Sequence, residues 1–193
     1  MADTDGPQAA ATEPVDRTIK LRSGLDDALS NLMAVLPGAD NEAGWEIATA
    51  DDGWTVRQML AHLSVGESSM NGLIAQALAA AAAGTPGVGL VPTGKDGAPF
   101  DLDRWNARQV EKRATQPPSA LRVELTETRA QTLRTLKTMT PAQLATPAWQ
   151  PALGHTTVES IYKVMALHMR DHTRAVKKAL RASQHGLYWA DVE

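Results

Sequence analysis

The chain has 193 residues and a formal net charge of −3, enough for one domain with a sizeable core and the wrong sign for electrostatically driven nucleic-acid binding. It contains no cysteine, which excludes disulfides, thiolate metal ligands and cysteine nucleophiles, so any metal is held by nitrogen and oxygen. Residues 1–15, rich in Ala, Asp, Thr, Gly and Pro, read as a disordered tail. Met1–Glu13 lacks the basic start and apolar run of a secretory signal. The longest apolar tract, Leu73–Ala83, is too short to span a bilayer. A soluble, cytoplasmic protein with no nucleic-acid and no membrane partner is the expectation.

A first helix is expected from about Asp16 to Leu36, where Ile19, Leu25, Leu29, Leu32, Met33 and Leu36 recur at helical spacing and Pro37-Gly38 stops the run. A loop carrying Trp45 and Ile47 leads to Gly53. The second helix starts behind Thr55, a suitable N-cap, and runs to about Ala83. Gly84–Pro99 holds five glycines and three prolines and reads as a long crossover, either a contact-free connection or a lid that shapes a binding site. Asp101–Ala114 is helical and is broken by Pro117-Pro118. Ser119 is expected to cap the next helix, to about Met139, with Leu121, Leu125, Leu133 and Leu136 on one side. A turn at Thr140-Pro141 and a loop with Trp149 and Gly154 precede the last helix, about Thr157–Ala182, and a tail at 183–193. Strand alternation is absent throughout. The fold class is therefore all-α: a four-helix bundle with a long crossover loop, spanning residues 16–182.

His168 and His172 lie four residues apart in the apolar stripe of the last helix, with Ile161, Val164, Met165, Ala175, Val176 and Ala179 on it or beside it. Positions i and i+4 stack about 6 Å apart on one helix face. Two imidazoles turned toward a core need polar partners, and a divalent metal binds both at once; hydrogen-bonded histidines without metal are the alternative. Methionine stands where the HExxH motif has its glutamate, which sets aside a metalloprotease. On the second helix, Glu67 falls within the stripe Val56, Leu60, Leu63, Met70, Ile74 and Ala77, where a carboxylate needs a partner. His62 lies at the border of that stripe. Three neutral imidazoles with an open position make a catalytic rather than a structural site, one that lowers the pKa of a bound water or thiol. Glu67 is then the candidate catalytic residue: an acceptor behind the ligands, an extra ligand, or the base. Asp171 reads as a surface residue near Arg174, and His155 and His185 carry no assigned role. Trp54 and Trp105 either line a pocket or fill the core.

Three segments, in this order, resemble the DinB-like (DinB/YfiT-like) family of four-helix metalloenzymes, which includes the mycothiol- and bacillithiol-dependent transferases. They are Gly53-Trp54-Thr55-Val56-Arg57-Gln58-Met59-Leu60-Ala61-His62-Leu63 with Glu67 following, Phe100-Asp101-Leu102-Asp103-Arg104-Trp105-Asn106, and His168-x-x-x-His172. The resemblance covers about residues 17–182. It implies that His62, His168 and His172 hold a divalent metal, zinc, nickel or similar. It also implies activation of a low-molecular-weight thiol, or of water, for transfer to a small electrophile. Periodicity alone turns His168, His172 and Glu67 inward; the resemblance is what makes His62 their partner. Asn106 either faces such a site or stays solvated. The competing class is a non-enzymatic small-ligand or stress-response binding protein with a polar bundle cavity. A homodimer is expected under either reading, with the Ala-rich tract Leu78–Ala83 allowing close helix approach.

Overall fold

The structure, a computed structural model, describes residues 14–38, 40–50, 53–92 and 97–190. In chain order its elements are α1 (Pro14–Val35), the single turn α2 (Glu42–Trp45), α3 (Val56–Ala82), α4 (Leu102–Glu111), α5 (Pro118–Lys137), the single turn α6 (Pro141–Leu144), β1 (Pro147–Gln150), β2 (Gly154–Thr157) and α7 (Val158–Ala190). The long helices close a ring of contacts: α1 packs on α5, α5 on α3, α3 on α7, and α7 on α1. That ring is the four-helix bundle which the apolar stripes call for. It sets α1 opposite α3 and α5 opposite α7, so the connections α1–α3 and α5–α7 each cross the bundle's diagonal.

The apolar core falls into two parts. One contains Leu25, Ile74, Leu136, Ile161 and Tyr162; the other contains Leu32, Trp45, Met59, Leu60, Leu125 and Val176. Along α3 and α5 the change from one part to the other falls at the buried polar residues Glu67, Arg129 and Thr132. Trp45 is fully buried, and its indole N–H donates to the Gly38 carbonyl at 2.9 Å, so the α1–α3 connection is packed down rather than loose.

Local chemistry sets the helix ends. Thr55 caps α3 in a reciprocal box: its hydroxyl accepts from Gln58 N–H at 3.3 Å, and the Gln58 side chain accepts from Thr55 N–H at 2.9 Å. Asp101 caps α4 by accepting from Arg104 N–H at 2.9 Å. Ser119 is not the cap of α5. Pro117 holds that position in extended backbone and Pro118 opens the helix, because the ring of a proline at the first helical position fixes a helical φ and lacks only an N–H that would have no partner. The last helix continues to Ala190, beyond the expected end at Ala182. The tail expected at 1–15 lies outside the described residues up to residue 13, and α1 is already helical at Pro14.

Strand is not absent. β1 and β2 form an antiparallel hairpin with Trp149 opposite His155 and Gln150 opposite Gly154. Four residues a side are too few to show alternation. The turn chemistry carries the signal: three residues, Pro151 to Leu153, followed by Gly154 at φ 68°, the left-handed position such a loop requires. The Gln150 side chain pins it by accepting from the N–H groups of Ala152 and Leu153 at 2.7 and 2.9 Å. The connection Gly84–Pro99, expected as the crossover, leads instead toward a neighbour, since α3 packs on α5, and it is anchored: Leu90 is buried and Gln76 Nε2 donates to the Gly89 carbonyl at 3.2 Å. Among the described residues no helix is long and apolar enough to cross a membrane.

Candidate metal centre

α3 and α7 face each other, and His62 on α3 meets His168 and His172 on α7. His62 Nε2 is 2.9 Å from His168 Nε2, and His172 Nε2 is 3.1 Å from the same atom. The ligand atoms of all three lie within 4.8 Å of one another. The rings meet edge to face, at 65° between His62 and His168, 86° between His62 and His172, and 89° between His168 and His172. They converge on a point rather than stack. Trp54 supports the cluster from the start of α3, its ring centroid 4.8 Å from that of His62.

Burial pushes the His62 imidazole down to about 4, with the neighbouring His172 adding to the effect. Burial takes His168 lower still, to about 3, reinforced by His62 and His172 and opposed by Asp171. Both rings are therefore neutral at pH 7, the form that donates a lone pair to a metal. A neutral ring carries one N–H and one lone pair, so a single in-plane lobe on His168 Nε2 has to serve two nitrogens at about 3 Å. Buried His62 Nδ1 has no hydrogen-bond partner. A cation relieves the crowding by taking a lone pair from each ring. The spacing suits one: with bonds of about 2.1 Å, two nitrogens on a shared ion sit about 3.0 Å apart at a right angle and about 3.4 Å apart at the tetrahedral angle. His155, exposed on β2, is not part of the group.

Glu67 is placed elsewhere. Five residues along a helix turn a side chain by about 140° from His62, which aims Glu67 at α5. There Arg129 grips the carboxylate with both arms, Nε to Oε1 at 2.7 Å and Nη2 to Oε2 at 2.8 Å. The Thr132 hydroxyl donates to Oε1 at 2.9 Å. Glu67 and Arg129 are each 1% exposed, and Arg129 also donates to the Leu25 carbonyl of α1 and touches Met169 Sδ at 3.5 Å. Of the roles expected for Glu67 (acceptor behind the ligands, extra ligand or base) the structure shows none in contact with the histidines: it places the carboxylate in a buried ion pair that ties α3 to α5 and α1. The need for a partner is legible from the apolar stripe; that the partner is Arg129 is not, because one arginine in an amphipathic helix gives no sign of being buried.

A cavity of about 300 Å³ opens beside the cluster, with His62 and His168 in its wall. Gly66, one turn after His62, leaves it space: a Cβ there would meet His168 Cε1 at 3.4 Å. Phe100, Trp105 and Trp149, whose rings lie near one another, also line it, as does Asn106. Trp105 is therefore a pocket residue, whereas Trp54 packs behind a histidine. Trp149 gives no sign of this role in the sequence, since the hairpin that presents it is too short to be told from a loop.

The site is thus three imidazoles from two packed helices of a four-helix bundle, brought together next to a cavity, an arrangement of the kind in which bundles build metal sites. The chain belongs to the DinB superfamily, whose pattern matches residues 19–176. It is also similar to a solved structure of YfiT from Bacillus subtilis, with 18% identity over 93% of each chain and a TM-score of 0.67. That protein is described as "a probable metal-dependent hydrolase with an unusual four-helix bundle topology". At this identity the likeness speaks for the fold. No curated protein matches the chain.

Proposed function

We propose that the protein is a metal-dependent enzyme in which His62, His168 and His172 hold a divalent cation, zinc, nickel or similar, and the adjoining cavity holds a small substrate. The observation that carries this is the convergence of one ring nitrogen from each histidine within 4.8 Å, with His168 Nε2 at 2.9 and 3.1 Å from the Nε2 atoms of His62 and His172, two contacts that one shared ion explains together and one hydrogen-bonding lobe does not. The description of YfiT as metal-dependent supports the reading. A divalent ion there supplies a Lewis acid that makes water or a low-molecular-weight thiol nucleophilic near neutral pH. The chain's own residues do the rest. Burial keeps the His62 and His168 rings neutral, the Trp54 ring packs against His62 and Gly66 lies beside His168, and the aromatic side chains of the cavity shield the substrate's far end from bulk water. In the proposed reaction the nucleophile's oxygen or sulfur bonds to the substrate's electrophilic atom. The leaving group takes the broken bond's electron pair, and the nucleophile's proton passes to that group or to solvent.

The test is elemental analysis of protein made without a histidine tag, in parallel with His168→Ala. About one equivalent of metal in the wild type and its loss in the variant are expected. No metal in the wild type, or unchanged metal in the variant, refutes the proposal. Thiol and water are separated by turnover of an electrophile such as a chlorinated nitrobenzene with and without added thiol.

A further inference from the structure

We propose that the substrate's body is a neutral, flat, apolar group about the size of two fused rings, seated against Phe100, Trp105 and Trp149 with its polar, reacting end at His62 and His168. Only the identity of that reacting end rests on the metal-enzyme reading above; the shape and polarity of the body rest on the cavity.

Size comes first. A cavity of about 150 Å³ lined by aliphatic and aromatic side chains holds one benzene ring, and this one measures about 300 Å³. The wall then selects for chemistry. Phe100 lies 6.4 Å from Trp105 at 52° and 6.3 Å from Trp149 at 86° between ring planes. These are the tilted and edge-to-face arrangements that aromatic rings prefer, and a further ring placed among them extends the same pattern. All three side chains are only half-buried, so large apolar faces are left uncovered on a concave surface. Met70, Leu73 and Val164 add further apolar surface to the wall.

Among the described residues no Asp, Glu, Lys or Arg lines the cavity. A charged group on the body would lose its hydration there without a counter-ion, and a sugar-like body would turn several hydroxyls toward hydrocarbon. Cation–π contact with a quaternary ammonium is the other ligand an aromatic wall invites, but it would place like charge beside the cation proposed for the histidines. The polar side chains present are few: Ser69 on α3, Asn106 on α4, Gln150 on β1, whose Oε1 is already taken by the Ala152 and Leu153 N–H groups, and the imidazoles of His62 and His168. They suit one polar end on an otherwise apolar molecule.

The experiment is calorimetric titration of the purified, metal-analysed full chain with three probes: 2-naphthalenemethanol, glucose and benzyltrimethylammonium. It is repeated on Trp105→Ala, Trp149→Ala and Trp105→Phe, with metal content and helicity recorded for each. We expect 2-naphthalenemethanol to bind most tightly of the three. Each alanine variant should weaken it about tenfold, and Trp105→Phe should keep most of the affinity. Metal content should match the wild type throughout. Absent binding of 2-naphthalenemethanol, equal binding in well-folded alanine variants, or tighter binding of glucose or the ammonium overturns the proposal. If the wild type holds no metal yet binds the naphthalene probe through these tryptophans, the enzyme reading fails while the cavity's preference stands. Metal without probe binding overturns the cavity's preference and leaves the enzyme reading in place.

Discussion

Removing Arg129 strands the Glu67 carboxylate, and the cost follows from the geometry. Both side chains are 1% exposed, with charge-assisted contacts of 2.7 and 2.8 Å. Two unit charges about 4 Å apart at an effective dielectric of about 20 attract by about 4 kcal/mol, and breaking one half of a buried pair costs about 3–5 kcal/mol. For a domain of this length each kcal/mol moves the thermal midpoint by about 2–4 °C. Arg129→Met should therefore lower the midpoint by about 6–20 °C and shift the urea midpoint in the same direction. The double variant Glu67→Leu/Arg129→Met removes both charges and should regain most of that loss, because the desolvation of the pair disappears with it. Thr132 keeps partners in the double variant, accepting from Asn71 Nδ2 at 2.8 Å and donating to the Thr128 carbonyl at 3.0 Å. A single variant that loses less than about 1 kcal/mol, or a double variant as unstable as the sum of two singles, refutes the account.

Three shorter predictions concern the site and its frame. His62 is lowered from 6.5 to about 4, so between those values the unfolded chain binds the proton that the folded chain refuses. Stability of the metal-free protein should fall as pH drops through that window, by about 3 kcal/mol for this ring, and His62→Gln should flatten the dependence in denaturation curves; identical curves would refute it. Gly66→Ala should raise the thermal midpoint by the equivalent of about 0.5–1 kcal/mol, since the new methyl meets His168 at an ordinary 3.4 Å; a drop would mean the ring cannot give way. Thr55→Ala should cost about 1 kcal/mol by opening the α3 capping box, read from the urea midpoint, and no change would show the cap to be idle.

The bundle is legible because its four long helices obey a single period and end in recognisable chemistry. Thr55 and Pro37-Gly38 mark boundaries that the structure keeps. The hairpin is not legible, since four-residue strands leave no period to detect and Gly154 reads equally as turn or loop. At the site, His168 and His172 can be paired from spacing alone because they share a helix. His62 cannot be added that way: its distance from them is a tertiary fact, reachable from the sequence only through a family resemblance. The direction of Glu67 shows the same limit. An inward position on a bundle helix has several neighbours, and period fixes the depth of a side chain better than the neighbour it meets.

The cavity is built from two kinds of material. Its imidazole side belongs to α3 and α7, which also carry the core, whereas Pro92, Phe100, Trp149, Pro151 and Ala152 come from connecting segments and the hairpin. Of these positions Trp149 also packs against the core, whereas the other four are not among the residues that build it. Pro92, Phe100, Pro151 and Ala152 are thus the places where what the protein accepts can be redrawn at little risk to the fold, and a change at Trp149 has to satisfy the core as well.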